Sequence, residues 1–161
     1  MIVYSKKIKY YLRMKKILFI CHGNICRSPM AEFVFKDMAH KAGRDKDFLI
    51  ESAATSTEEI GNDIHYGTRN KLIKEGIPFS RRAARQITAA DYEKYDLLIA
   101  MDDENLYYMN RRWNNDPAGK FRLLLEFAGK NRDIADPWYT ENFDQTYLDI
   151  VEGCEAMLEQ L

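Results

Sequence analysis

An unbroken apolar run at residues 16–21 (KILFIC) passes straight into Cys21-His22-Gly23-Asn24-Ile25-Cys26-Arg27-Ser28-Pro29. After it, Met30, Ala31, Val34, Phe35, Met38, Ala39 and Ala42 recur at 3.6-residue spacing until Gly43. A short apolar run without alternation predicts a strand buried on both faces, which is the signature of a parallel sheet. Pro in the first helical turn and Gly just past the end punctuate the helix that follows. A strand that turns within a few residues into a helix is half of a βαβ unit. This one unit therefore restricts the chain to the α/β class more tightly than any other feature.

The remaining segments agree. Residues 48–54 (FLIESAA) predict a second strand and residues 63–75 a weaker helix stopped by Gly76 and Pro78. Thr88 and Asp91 form a capping-box pattern for a short helix. Residues 95–101 (YDLLIAM) predict a third strand, with a helix from Asp102 to about Arg112. Residues 121–125 predict a fourth strand. Phe143, Tyr147, Ile150, Cys154, Met157 and Leu161 mark a long amphipathic final helix. The expected fold is a single-domain, doubly wound, four-stranded parallel sheet with helices on both faces.

Charge divides the chain. Six of the 24 basic residues and none of the 25 acidic ones fall in residues 1–16. Residues 1–13 are therefore expected to be a basic N-terminal extension without fixed structure, and the domain to begin near Met14 and run to residue 161. A net charge of −1 argues against a dedicated nucleic-acid binder. No apolar run reaches the roughly 18 residues a bilayer requires, so no membrane association is expected. Three cysteines, an odd number, argue for functional thiols in a reducing, cytoplasmic compartment rather than a disulfide framework.

The loop after the first strand carries the chemistry. In an open α/β sheet the ligand crevice lies at the carboxyl ends of the strands. There the backbone N–H groups and the helix N-terminus make an anion site. Gly23 lets the backbone turn tightly, and Arg27 offers a planar fork matching two phosphate oxygens. A field that draws phosphate also favours a thiolate, so Cys21 is the candidate nucleophile. Ser28 can donate its hydroxyl to that sulfur. A zinc site from Cys21, His22 and Cys26 is the chemical rival, but no second ligand pair appears, and neither metal nor cofactor is expected. A phosphate ester also needs a proton donor for its leaving oxygen. From the residues alone Asp102 and Asp103, at the end of a strand, are the candidates, although a helix N-cap already accounts for Asp102.

The sequence resembles the low-molecular-weight protein tyrosine phosphatase family. The resemblance rests on CHGNICRSP at 21–29, Asp136-Pro137-Trp138-Tyr139, SAATS at 52–56 and ARQIT at 84–88. It covers roughly residues 15–160. It implies hydrolysis of phosphotyrosine in proteins or peptides through a phosphocysteine, by a monomer or weak dimer. Cys21 is then the nucleophile, Arg27 the phosphate clamp and Asp136 the general acid and base. Asn24 holds the cradle, Ser28 activates the thiolate, and His22, Gly23, Ile25 and Cys26 complete the loop. Trp138 and Tyr139 resemble the aromatic wall of the substrate cleft. Glu58 and Glu59 stand where some relatives carry an aromatic, which predicts poor tolerance of acidic flanks. Arg81 and Arg82 stand where the family often has a structural histidine, and with Arg85 they are expected to be solvated or ion-paired. Cys26 is expected to form a reversible disulfide with Cys21.

Three other activities are set apart by single features. Arsenate reductases of this type use two further cysteines near residues 90–100, and none exists there. Protein arginine phosphatases have Thr where this chain has Ile25. A non-catalytic phosphate-binding module would usually have lost Cys21, Arg27 or Asp136.

Overall fold

The computed structural model describes residues 14–161. The basic extension expected at 1–13 lies outside the described residues. Four strands form one parallel sheet in the order β2-β1-β3-β4: β1 (Lys15–Cys21), β2 (Phe48–Ala54), β3 (Leu97–Ala100) and β4 (Phe121–Leu123). The helices are α1 (Arg27–Lys41), α2 (Tyr66–Lys74), α3 (Ala89–Lys94), α4 (Asp103–Arg112), α5 (Pro137–Thr140) and α6 (Phe143–Gln160). This is the doubly wound α/β architecture expected from the sequence.

Both faces of the sheet are covered, and β1 shows why. Successive side chains of a strand point to opposite faces. Ile17, Phe19 and Cys21 enter one core with Val34 and Phe35 of α1 and Ile150, Cys154 and Met157 of α6. Leu18 and Ile20 enter the other, with Tyr92, Leu98, Met109 and Trp113. Phe35 meets Phe19 and Phe48 edge-on, with ring centroids 6.0 and 5.1 Å apart. Each fully buried ring of this kind contributes about 2 kcal/mol.

The connection from β1 runs to β2 on one side, while β3 lies on the other. That strand reversal opens a crevice at the carboxyl end of β1. Cys21, the last residue of β1, pairs with Ala54 at the end of β2. No helix among the described residues is long and apolar enough to cross a membrane.

Several boundaries depart from expectation. The fourth strand stops at Leu123 because β3 offers it only three partners, Leu98–Ala100. Leu124–Ala128 turn into a 3₁₀ helix, and Leu124 lies against Gly153 of α6. β3 is shorter at both ends. Tyr95 caps α3, and the Met101 amide donates to Asn105 Oδ1 at 3.2 Å. The second helix starts at Tyr66 rather than Asp63, whose carboxylate is occupied by the Ile64 amide at 2.7 Å. α5 was not expected. Asp136 caps it and Pro137 supplies its first turn.

Candidate active site

The seven-residue passage from Cys21 to Arg27 folds around its own side chains. Cys21 Sγ lies 3.0 Å from Ser28 Oγ and accepts from the Asn24 amide at 3.3 Å. Asn24 is fully buried and adopts a left-handed φ of 59°, a conformation that persists in a non-glycine residue only when its surroundings hold it. Its Nδ2 donates to Ser28 Oγ at 2.8 Å and to Ser52 Oγ at 2.9 Å. Ser52 in turn donates to Glu32 at 2.6 Å. Ser28 Oγ accepts from Asn24 and from a protonated Cys21, and facing a Cys21 thiolate it has its single proton to give to the sulfur.

Arg27 is 2% exposed and bears its charge inside the fold. Nη1 donates to Asp102 Oδ2 at 2.6 Å and to the Ile134 carbonyl at 2.8 Å; Nη2 reaches Asp136 Oδ2 at 3.3 Å. Nε is buried and has no partner. A buried donor left unpaired is costly, and here it is the group an oxyanion would satisfy. Burial alone would lower the Arg27 pKa, but Cys21, Asp102 and Asp136 together hold it above its ordinary value.

The candidate acids separate by position. Asp102 caps α4, with Oδ1 accepting from the Asn105 amide at 2.7 Å while Oδ2 serves Arg27. The Asp103 amide donates to Asp133, and its side chain is exposed. Asp136 alone among them lines the cleft above the loop.

That cleft, about 110 Å³, is floored by Cys21, Cys26 and Arg27. Trp138 and Tyr139, 54% and 80% exposed, line it. His22, Glu58 and Glu59 line it too, and His22 Nε2 lies 2.9 Å from Glu58 Oε2. Gly23 and Ile25 line it as well, whereas Asn24 and Ser28 are fully buried and do not. A larger hollow of about 750 Å³, between α1 and β2, contains none of them.

The start of α2 braces the loop from outside. The His65 amide donates to the Ile25 carbonyl at 2.9 Å, and Thr68 Oγ1 donates to the Cys26 carbonyl at 3.1 Å. The His65 ring stacks on Phe143, centroids 5.4 Å apart, and meets Trp138 edge-on at 5.5 Å. Gly67 allows this approach, since a Cβ there would meet the Phe143 ring at 2.3 Å. Burial lowers the His65 pKa.

The thiols differ sharply. Burial, and then the neighbouring Cys21, push the Cys26 pKa up to about 12, so Cys26 is a protonated thiol beside the candidate nucleophile. Cys154 is fully buried on α6, and burial raises its pKa as well. Among the described residues, Cys21, His22 and Cys26 do not gather into a metal-ligand group.

Ser52, Glu32, His65, Thr68 and Arg82 escaped sequence reasoning. Ser52 opens the SAATS segment, and its place at the end of a strand was the available signal. Arg82 corrects an expectation. It is neither fully solvated nor paired with a carboxylate through its guanidinium, but donates from Nη2 to both Asn24 O and Asn24 Oδ1. The segment 84–87 runs beside the end of β2, with Ala54 bonded to Arg85 O and to the Ile87 amide, and this carries Arg82 behind the loop. Arg85 is ion-paired with Asp91 at 2.9 Å, and its amide also reaches Asn24 Oδ1 at 3.3 Å.

Comparison with known proteins bears on the family and the fold. The model of the low molecular weight phosphotyrosine protein phosphatase family matches residues 16–161. The low molecular weight protein-tyrosine-phosphatase YfkJ of Bacillus subtilis is 38% identical over 150 residues, covering 92% of this chain and 96% of its own. Its crystal structure superposes with a TM-score of 0.88 over 91% of this chain and 94% of that one. The human low molecular weight phosphotyrosine protein phosphatase is also 38% identical, over 91% of this chain and 95% of its own. A Drosophila arginine phosphatase is 31% identical, with a TM-score of 0.80 over 90% of this chain and 96% of that one. The chain belongs to the low molecular weight phosphotyrosine protein phosphatase family.

Proposed function

We propose that this protein hydrolyses phosphotyrosine through a phosphocysteine on Cys21. One observation carries the reading: Cys21 Sγ accepts from the Asn24 amide and lies 3.0 Å from the Ser28 hydroxyl, at the floor of a cleft where the buried Arg27 has an unpartnered Nε and which Asp136 lines. The loop amides and Arg27 bind the phosphate, and Arg27 stabilises the equatorial oxygens in transfer. The Cys21 thiolate attacks phosphorus in line. An S–P bond forms, the P–O bond to the phenol breaks, and Asp136 gives its proton to the leaving oxygen. A water then attacks phosphorus and yields a proton to the Asp136 carboxylate. The S–P bond breaks, and Ser28 stabilises the departing thiolate.

The cleft supports an aryl substrate, since Trp138 and Tyr139 can flank a phenyl ring. Glu58 and Glu59 oppose acidic residues beside the phosphotyrosine. The substrates are phosphoproteins or phosphopeptides, and the protein acts on them as a monomer or weak dimer. A nucleophilic thiol suits a reducing cytoplasm. Cys26 serves as redox guard: a sulfenic acid formed on Cys21 by peroxide condenses with the Cys26 thiol, losing water and giving a disulfide.

The test is a substrate panel run in excess chelator. Phosphotyrosine peptides are expected to be hydrolysed at least about tenfold faster than phosphoserine or phosphoarginine peptides, a gap of about 1.4 kcal/mol. Faster turnover of phosphoarginine would overturn the substrate class. Asp136→Ala tests the acid separately. Its kcat/KM should fall by about 100-fold for an alkyl or unsubstituted phenyl phosphate, and far less for a dinitrophenyl phosphate that leaves without a proton. Equal losses across leaving groups would remove Asp136 from that role.

A further inference from the structure

We propose that Arg82 is a positioning residue that sets the direction of the hydrogen-bond relay ending on the Cys21 sulfur. The proposal rests on the phosphocysteine reading above. A side-chain amide has an accepting end and a donating end of nearly the same shape, and its neighbours decide which way it faces. The Asn24 amide lies between two serines on one side and Arg82 on the other. A guanidinium has only donors. Arg82 Nη2 therefore holds Asn24 Oδ1, aided by the Arg85 amide at 3.3 Å. Nδ2 must then point at Ser28 and Ser52.

The direction propagates from there. Ser28 Oγ accepts a hydrogen bond from Nδ2 and, once Cys21 is a thiolate, turns its own proton to the sulfur 3.0 Å away. Ser52 does the same toward the Glu32 carboxylate at 2.6 Å. Every donor on the Cys21 branch points toward the sulfur, and bonds aligned in this way polarise one another. A reversed amide would turn its NH₂ onto Arg82, present its oxygen to Ser28, and draw the serine proton away from the thiolate. The same Nη2 also holds Asn24 O, the carbonyl of the residue with left-handed φ. Arg82 does not line the cleft and touches no reacting atom, so its effect passes through Asn24 and Ser28. Burial lowers its pKa, while the charges of Glu32, Asp63 and Cys21 oppose that shift.

A double-mutant cycle on the full chain tests this. Arg82→Met and Ser28→Ala should each lower kcat for an aryl phosphate by about 10- to 100-fold. The double variant should lose no more than about twofold beyond the worse single one, because both changes cut the same relay. Arg82→Lys, which keeps a charged donor, should recover to within about fivefold of the parent. Losses that multiply, or Arg82→Met with kcat within about twofold of the parent, would overturn the proposal.

Alkylation of Cys21 by iodoacetamide at pH 6 provides a readout that needs no turnover. It should slow in each single variant and no further in the double. If the parent fails to hydrolyse aryl phosphates while this alkylation pattern holds, the phosphatase reading falls and the relay stands. If hydrolysis is normal and alkylation is unaffected by Arg82→Met, the relay falls alone. Should Arg82→Met not fold, Arg82→Leu carries the same cycle, since it too offers Asn24 Oδ1 no donor.

Discussion

Cys21→Ser leaves a folded protein that binds phosphate and does not turn over. Its kcat for an aryl phosphate should fall by about 10⁴-fold or more, on the scale seen when a nucleophile is removed. The hydroxyl occupies nearly the same space at a position only 3% exposed, so the core should not notice. The chemistry does. The two donors aimed at Cys21 Sγ, from the Asn24 amide and Ser28, stabilise a thiolate, whereas a serine hydroxyl stays protonated at any pH the fold survives. Anion binding depends on Arg27 and the loop amides, so inhibition by inorganic phosphate should stay within about threefold of the parent. Turnover within about tenfold of the parent would remove Cys21 from the nucleophile's role.

Arg27→Met is expected to harm both stability and activity, and Arg27→Lys to separate the two. Asp102 and Asp136 share the Arg27 guanidinium, with contacts of 2.6 and 3.3 Å. Removing one partner of a buried ion pair leaves an uncompensated charge, so Arg27→Met should lose about 3 kcal/mol of unfolding free energy. Lysine keeps the charge and should restore most of that stability. It cannot restore the geometry. Arg27 serves Asp102, the Ile134 carbonyl and Asp136 with its two terminal nitrogens and still presents Nε. A compact ammonium lacks that planar fork. Arg27→Lys should therefore unfold in urea close to the parent, yet lose about 10³-fold in kcat/KM. A lysine variant with parental kcat/KM would show that charge alone suffices there.

The legibility of the site follows sequence distance. Cys21, Arg27 and Ser28 belong to one nine-residue loop, and the strand before and helix after announce where it must point. Asp136 was singled out only through the family resemblance, because one acid among 25 has no local mark. Asp102 was legible as a helix cap, and that reading holds. Its second oxygen, on Arg27 75 residues away, was invisible. Arg82 was misjudged for the same reason. Three arginines within five residues suggest a solvated face, and nothing in their spacing reveals that one turns inward to Asn24, 58 residues back.

By itself the sequence determined the β1–loop–α1 unit, the two-faced sheet and the candidate nucleophile. These follow from short-range physics: strand alternation, helical spacing, and a tight turn that sets backbone donors around an anion. The tertiary structure alone decided which carboxylates share Arg27, which carboxylate faces the cleft, and which way the Asn24 amide points. Those choices depend on burial and on charges brought together from distant segments. A buried polar group must find whatever partner the fold supplies, and local sequence does not say which one that is.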